Sequence, residues 1–238
     1  MSRFIATVSL CIMAFFSVVQ AAVLPTNNVS QTKAAVQKQS DLNTPVGYWL
    51  QYSDRGKGQS IIEIYAGSDG KLQGKILVPF VNIVNRKILP PDLMCRRCGK
   101  GNINGYRYDY RTWPKNRLQG LKIMWGFMLN KGPGRKSDGP MYASGSILDP
   151  ASNGRVYRAQ MYTTDKGSAL NVRGFVGLPL FGRTQIWHRI SKETAQKYVT
   201  LCGLTNKNTY PYVDQKGRMI NQSLWRVCSN VSVKMPAG

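Results

Sequence analysis

Acidic residues are scarce in this chain: its 238 residues carry 11 Asp and Glu against 33 Lys and Arg, with a single His. That scarcity narrows the chemistry. Few carboxylates exist to pair as acid and base, and no spacing between them suggests the pair that glycoside hydrolysis needs. A Ser-His-Asp arrangement would have to use His188, which sits between Trp187 and Arg189 in a strand-like run and reads as a packed or surface side chain. A four-ligand zinc site lacks members, because one His and one Cys-x-x-Cys are all the sequence offers. HExxH, GxSxG, the phosphate loop and a GxGxxG opening a helix are all missing. Charged residues are only 18%, too few for a coiled coil. No apolar run after residue 21 is long enough to span a bilayer. The expectation is a chain with no catalytic residues, no metal and no cofactor; an unrecognised enzyme is the remote alternative.

What is present begins with a secretory pattern. Arg3 precedes an apolar run from Phe4 to Val19, and Val19-Gln20-Ala21 places small residues where a signal peptidase needs them. Residues 1–21 therefore read as a cleaved signal peptide, and the protein as periplasmic or secreted. Cys11 would leave with it, so Cys95, Cys98, Cys202 and Cys228 remain, an even count that suggests two disulfides in an oxidising compartment. Three pairings are possible, of which Cys95–Cys98 with Cys202–Cys228 is simplest. Pro90-Pro91-Asp92 before the Cys-x-x-Cys and Gly99 after it make a loop, which favours a structural clip over a redox pair at a helix N-terminus.

Residues 22–44 are polar and without strong period, a flexible leader. From Pro45 the pattern becomes short β-rich runs with turn residues between them: 46–52, 60–66, 72–78, 120–129, 141–148, 155–163, 169–176 and 184–190. Asp69-Gly70 reads as a type I′ hairpin turn. Parallel strands would need long crossovers, so the short links predict an antiparallel meander. Eight such strands can close into a barrel, and a two-sheet sandwich is the other reading. The fold class is mainly β: one antiparallel up-and-down barrel of eight or slightly more strands over 45–190. A long insertion at about 80–119 and a C-terminal extension at 191–238 are added to it. Ile190, Ala195, Tyr198, Val199 and Cys202 share one helical face in the extension, with Ser191 as N-cap and Gly203 as stop.

Gly47-Tyr48-Trp49, Glu63-Ile64-Tyr65, Leu72-Gln73-Gly74-Lys75-Ile76, Ile147-Leu148-Asp149-Pro150, Val172-Arg173-Gly174-Phe175-Val176-Gly177 and Gly182-Arg183-Thr184-Gln185-Ile186-Trp187 together resemble the bacterial "domain of unknown function 2147" family of small exported proteins. The resemblance covers about residues 45–190. It implies a lipocalin-like barrel with a cavity and, in such barrels, a first-strand Trp plugging the closed end under a last-strand Arg: here Trp49 and Arg189. It establishes no activity. The basic stretch at 102–117 and everything after Ile190 depart from the family pattern.

Two binding expectations follow. A small apolar or amphipathic molecule in the barrel would be lined by Ile62, Ile64, Trp125, Tyr157, Phe175 and Trp187, large side chains on predicted strands. Alternatively, the insertion binds an anionic envelope lipid, lipopolysaccharide or cell-wall polymer. Residues 96–136 hold 11 Lys and Arg and one acid, with Tyr106, Tyr108, Tyr110 and Trp113 interleaved among Arg107, Arg111, Lys115 and Arg117. A merely solvated basic face competes with that reading, and an exported chain meets envelope polyanions before nucleic acid. Glu63, on a half-buried strand, reads as an ion-pair member with Arg173 as its partner.

Overall fold

The computed structural model describes residues 43–52, 58–80, 93–130, 139–206, 211–212, 214 and 218–229, and the backbone of 82–84 and 87–89. The expected signal peptide and nearly all of the expected leader lie outside the described residues. The described residues form twelve strands: β1 (Gly47–Tyr52), β2 (Gly58–Ala66), β3 (Leu72–Pro79), β4 (Asn82–Val84), β5 (Lys87–Leu89), β6 (Lys100–Ile103), β7 (Tyr106–Asp109), β8 (Lys122–Leu129), β9 (Tyr142–Asp149), β10 (Arg155–Thr164), β11 (Ala169–Phe175) and β12 (Gly182–Ile190). Eight of them close in the order β1-β12-β11-β10-β9-β8-β3-β2, every pair antiparallel. Closure through the β1–β12 pair, with Trp49 opposite Arg189 and Gln51 opposite Trp187, leaves the sheet no edge and removes the sandwich alternative.

The hairpin turns follow local chemistry. At Ser68–Gly70 only Gly70 takes positive φ (73°), and the amides of Gly70 and Gly67 bond Gly67 O and Lys71 O. The expected two-residue type I′ turn is thus a three-residue loop with a left-handed glycine at its end. The type I′ signature sits instead at Asn104-Gly105, φ 53° and 77°, joining β6 to β7. That hairpin, like β4–β5, lies inside the insertion, where the sequence reading placed no strands.

Helix α1 (Lys192–Leu201) is capped by Ser191, whose Oγ accepts the Thr194 amide at 3.1 Å, and ends before Gly203 at φ 67°. With α2 (Gln222–Ser229) it covers the outer face of β1–β3. There Leu50, Ile61, Val78, Phe80, Ala195, Val199, Cys202, Leu204, Tyr212 and Cys228 form a second core outside the barrel. The Cys202–Cys228 disulfide ties the two helices at the centre of this core.

The insertion also packs on the outside. Met124 pairs with Gly74 and Ile147 in the lumen, so the next residue, Trp125, points outward. There its indole lies beside Tyr106 (5.1 Å between ring centroids) and Tyr108 (5.6 Å) and donates to Ile103 O at 2.8 Å. The Cys95–Cys98 disulfide closes a tight loop within the same insertion, and this loop meets the β9–β10 turn, where Arg97 donates to Asn153 Oδ1 at 2.9 Å. Gly154, at φ 71°, permits that approach: a Cβ there would stand 2.7 Å from Cys98 Cα.

Burial holds the phenols of Tyr110 and Tyr212 far above their usual range; at Tyr110 the hydrogen bond with Tyr106 acts in the same direction. In the unfolded chain both would ionise near pH 10. Their folded pKa values are raised, so the stability linked to them is fully present below about pH 10 and is lost as pH climbs beyond it. Phenolate absorbance during alkaline titration should show Tyr110 and Tyr212 ionising only together with unfolding. Their ionisation in the still-folded protein, tracked by far-ultraviolet circular dichroism, would contradict this packing.

Candidate ligand site at the open end of the barrel

Register and burial together distinguish the two ends of the lumen. At one end Arg189 lies 4.2 Å over the Trp49 ring. Its guanidinium donates to Gly167 O (2.7 Å), Val46 O (2.8 Å) and Thr44 O (2.6 Å), while Trp49 Nε1 donates to Pro45 O (2.7 Å). Burial of that guanidinium lowers its pKa, yet the charge remains and three carbonyls meet it. This end is a plug made of a cation–π contact and satisfied backbone oxygens.

Above the plug the lumen is solid. Ile62, Ile64, Met124, Phe127, Ala159, Met161, Leu170, Val172 and Trp187 are buried there. A polar layer follows. Ser60 Oγ donates to Gln51 Oε1 (2.6 Å), Gln51 Nε2 to Gln185 Oε1 (2.9 Å), and Trp187 Nε1 to the same Gln185 oxygen (3.2 Å). Beyond this floor the inward stripes become accessible. Along β12 they pass from buried Trp187 through partly exposed Gln185 to exposed Arg183, and along β10 from Ala159 to half-buried Tyr157. Ile147 on β9 is also half-buried. A Cβ on Gly174 would sit 3.6 Å from Ile147 Cγ2 and 3.8 Å from Tyr157 Cβ, which places all three residues side by side at this end of the lumen. Arg155 stands 5.7 Å over the Tyr157 ring at the rim. Inward-facing residues that solvent reaches define a shallow mouth: an apolar wall of Ile147, Tyr157 and Gly174, a polar floor, and arginines at the lip.

The structure rearranges the expected site residues. Tyr157 lines the mouth. Ile62, Ile64 and Trp187 face the lumen but are sealed beneath the polar floor. Trp125 and Phe175 do not face it. Trp125 lies under the β6–β7 hairpin, and Phe175 is on the outward parity of β11, beneath Arg158 at 5.7 Å. Large size had selected both, although Phe175 alternates with Leu170 and Val172 and so belongs to the opposite face. The same alternation could have found the missed residues: Gly174 shares parity with Val172, and Gln185 and Arg183 share it with Trp187.

The basic set separates too. Arg107 and Lys115 are exposed. Arg111 is held by Asp109 through two short contacts, 2.8 and 2.6 Å, and this pair keeps the Asp109 carboxyl well below the usual range. Arg117 is only 4% exposed, donates to Asn206 O at 3.2 Å and lies 5.9 Å over the Trp113 ring, so it is an internal strut and not a surface cation. Glu63 pairs with Lys75 at 3.0 Å on the same outer face, and Arg173 is engaged elsewhere. Among the described residues no group of three His, Cys, Asp or Glu could hold a metal, and no helix is long and apolar enough to cross a membrane.

These features belong to a small closed β-barrel whose wall is the part shared with other proteins. Residues 47–189 match the family described as "uncharacterized protein conserved in bacteria (DUF2147)", and the chain belongs to that family. No curated protein matches it. A solved Helicobacter pylori protein, described as belonging to the lipocalin family, is similar over 65% of this chain and 88% of its own, at 18% identity and a TM-score of 0.41. The barrel assignment rests on this chain's own strand register, not on that likeness.

Proposed function

We propose that the protein is a non-catalytic binding protein that holds the end of an amphipathic, anionic molecule in the mouth of its barrel. The observation that carries this reading is the change from sealed core to accessible concavity above the Gln185 floor. Pockets of this kind combine an apolar wall with a few placed polar groups. Here Ile147, Tyr157 and Gly174 suit an acyl or ring segment, Gln51 and Gln185 carry the hydrogen-bonding floor, and Arg155 and Arg183 favour a negative headgroup. The carboxylate at this end, Asp149 opposite Arg155, is held by the Ala151 amide at 2.9 Å and the Ser152 hydroxyl at 2.6 Å, an engagement that fits a capping role and a binding site better than an acid–base one. The two disulfides fit an oxidising compartment outside the cytoplasm, where the secretory pattern of residues 1–21 would deliver the chain.

Gly174→Leu tests the reading. Gly174 needs no left-handed backbone and has ordinary contact distance around its missing Cβ, so the barrel should accept the change while the mouth fills. Fluorescence titration with an anionic amphipath such as 1-anilinonaphthalene-8-sulfonate should show binding by the parent. The variant should bind at least about tenfold more weakly, the equivalent of about 1.4 kcal/mol. Arg155→Ser with Arg183→Ser should weaken this probe more than a neutral one. Equal affinity in parent and Gly174→Leu would remove the mouth as the site. The second reading, polyanion binding through the insertion, is supported by exposed Arg107 and Lys115 alone of its four expected cations.

A further inference from the structure

The segment joining β11 to β12, residues 176–181, is at the same end of the barrel as the mouth. It exposes apolar side chains to an unusual degree: Val176 58%, Leu178 65%, Leu180 78% and Phe181 73%. Single exposed apolar residues are ordinary, but four within six positions at one rim form a patch. The backbone beneath them is not left to water. Arg173 donates from Nε to Pro179 O (2.7 Å) and from Nη2 to Leu180 O (3.2 Å), and its Nη1 donates to Thr184 Oγ1 (2.9 Å). The Phe181 amide bonds Leu178 O at 3.1 Å, and Pro179 has no N–H. Three successive carbonyls at the tip are therefore satisfied inside the loop, the condition for placing backbone where water is sparse. Behind the tip stand Arg155, Arg158, Arg173 and Arg183, while Asp149 at this end is occupied capping Ala151 and Ser152. The whole chain carries a net charge of +22.

We infer that residues 176–181 are a docking tip for an anionic phospholipid bilayer, with Leu178, Leu180 and Phe181 entering the headgroup region, Arg173 bracing the loop, and Arg155, Arg158 and Arg183 meeting lipid phosphates. An apolar tip backed by cations complements that surface in both depth and charge. Docked in this way, the barrel presents its mouth to the bilayer. The inference does not depend on what the mouth binds.

The test is sedimentation of the chain, as recovered from cells, with vesicles of phosphatidylglycerol and with vesicles of phosphatidylcholine. The parent should bind phosphatidylglycerol vesicles and bind phosphatidylcholine vesicles far less. Raising salt should weaken the first only in part, because apolar insertion is not screened. Replacing Leu178, Leu180 and Phe181 together by Ser should lower vesicle affinity on the order of a hundredfold, with circular dichroism unchanged because these side chains are exposed. Arg107→Ser with Lys115→Ser in the insertion should leave vesicle binding as it was. The fluorescence titration of the mouth is read separately on the triple variant, which should still bind the probe, so failure of the mouth reading and failure of the docking tip give different results. Vesicle binding that is absent in the parent, or that survives the triple replacement, would overturn the docking tip.

Discussion

Replacing Cys202 and Cys228 together by Ala should cost about 3.5 kcal/mol of stability, the chain-entropy value for a bridge spanning 26 residues. At this chain length that corresponds to a midpoint about 10 °C lower on heating. Location makes the effect large. Both sulfurs are fully buried, and they join α1 to α2 against Leu50, Ile61 and Val78 on the outer wall. Without the bridge, α2 is an eight-residue helix with no covalent tie to α1, and an isolated helix of that length does not hold in water. Limited proteolysis should then cut within the C-terminal extension before the barrel is attacked. The same replacement at Cys95 and Cys98, three residues apart, should cost only about 1.6 kcal/mol in the same treatment. Equal losses for the two pairs in urea unfolding would show that the extension does not depend on its bridge.

Arg189→Met should cost about 3 kcal/mol, as much as emptying a core position although the residue is a cation at the barrel's end. The change keeps much of the apolar stem but removes three donors and the cation over Trp49. Gly167 is buried, so its carbonyl loses its partner with little access to water, whereas the Thr44 and Val46 oxygens are nearer the surface. Arg189→Lys should recover less than half of the loss, since a single ammonium cannot reach three carbonyls in different directions and stack at once. Urea unfolding with near-ultraviolet circular dichroism would report both stability and the asymmetry around Trp49. Full rescue by Lys would mean that charge alone, not the planar fork, closes this end.

Much of the barrel was legible because a strand with one packed face writes its alternation into the sequence. Ile62 and Ile64, Leu170 and Val172, and Trp187 with Arg189 repeat every second residue, and short turns between such runs leave little besides an antiparallel meander. Ser191 and Gly203 announced α1 through cap chemistry that depends on neighbours only. The insertion was less legible, since the alternation of Tyr106, Tyr108 and Tyr110 is masked by the charged residues between them, while Asn104-Gly105 between two short runs is the turn signal that reveals their hairpin. Arg117 shows the limit of composition: in a basic stretch it looks like its neighbours, and only the distant Asn206 carbonyl and the Trp113 face make it internal. The mouth depended on a similar distinction. Parity tells which residues face inward, but the height at which the core stops is set by the Ser60–Gln51–Gln185 network, which three separate strands assemble.

We propose that this protein holds its ligand at the barrel mouth walled by Ile147, Tyr157 and Gly174. Mass spectrometry of small molecules extracted from the chain purified from its native cells, in parallel with Gly174→Leu, tests it most directly. An amphipathic molecule with an anionic headgroup is expected in the parent and should be lost from the variant, with the strand signal in circular dichroism unchanged. Extracts that carry no such molecule from either protein, or the same molecule in equal amount from both, would contradict it.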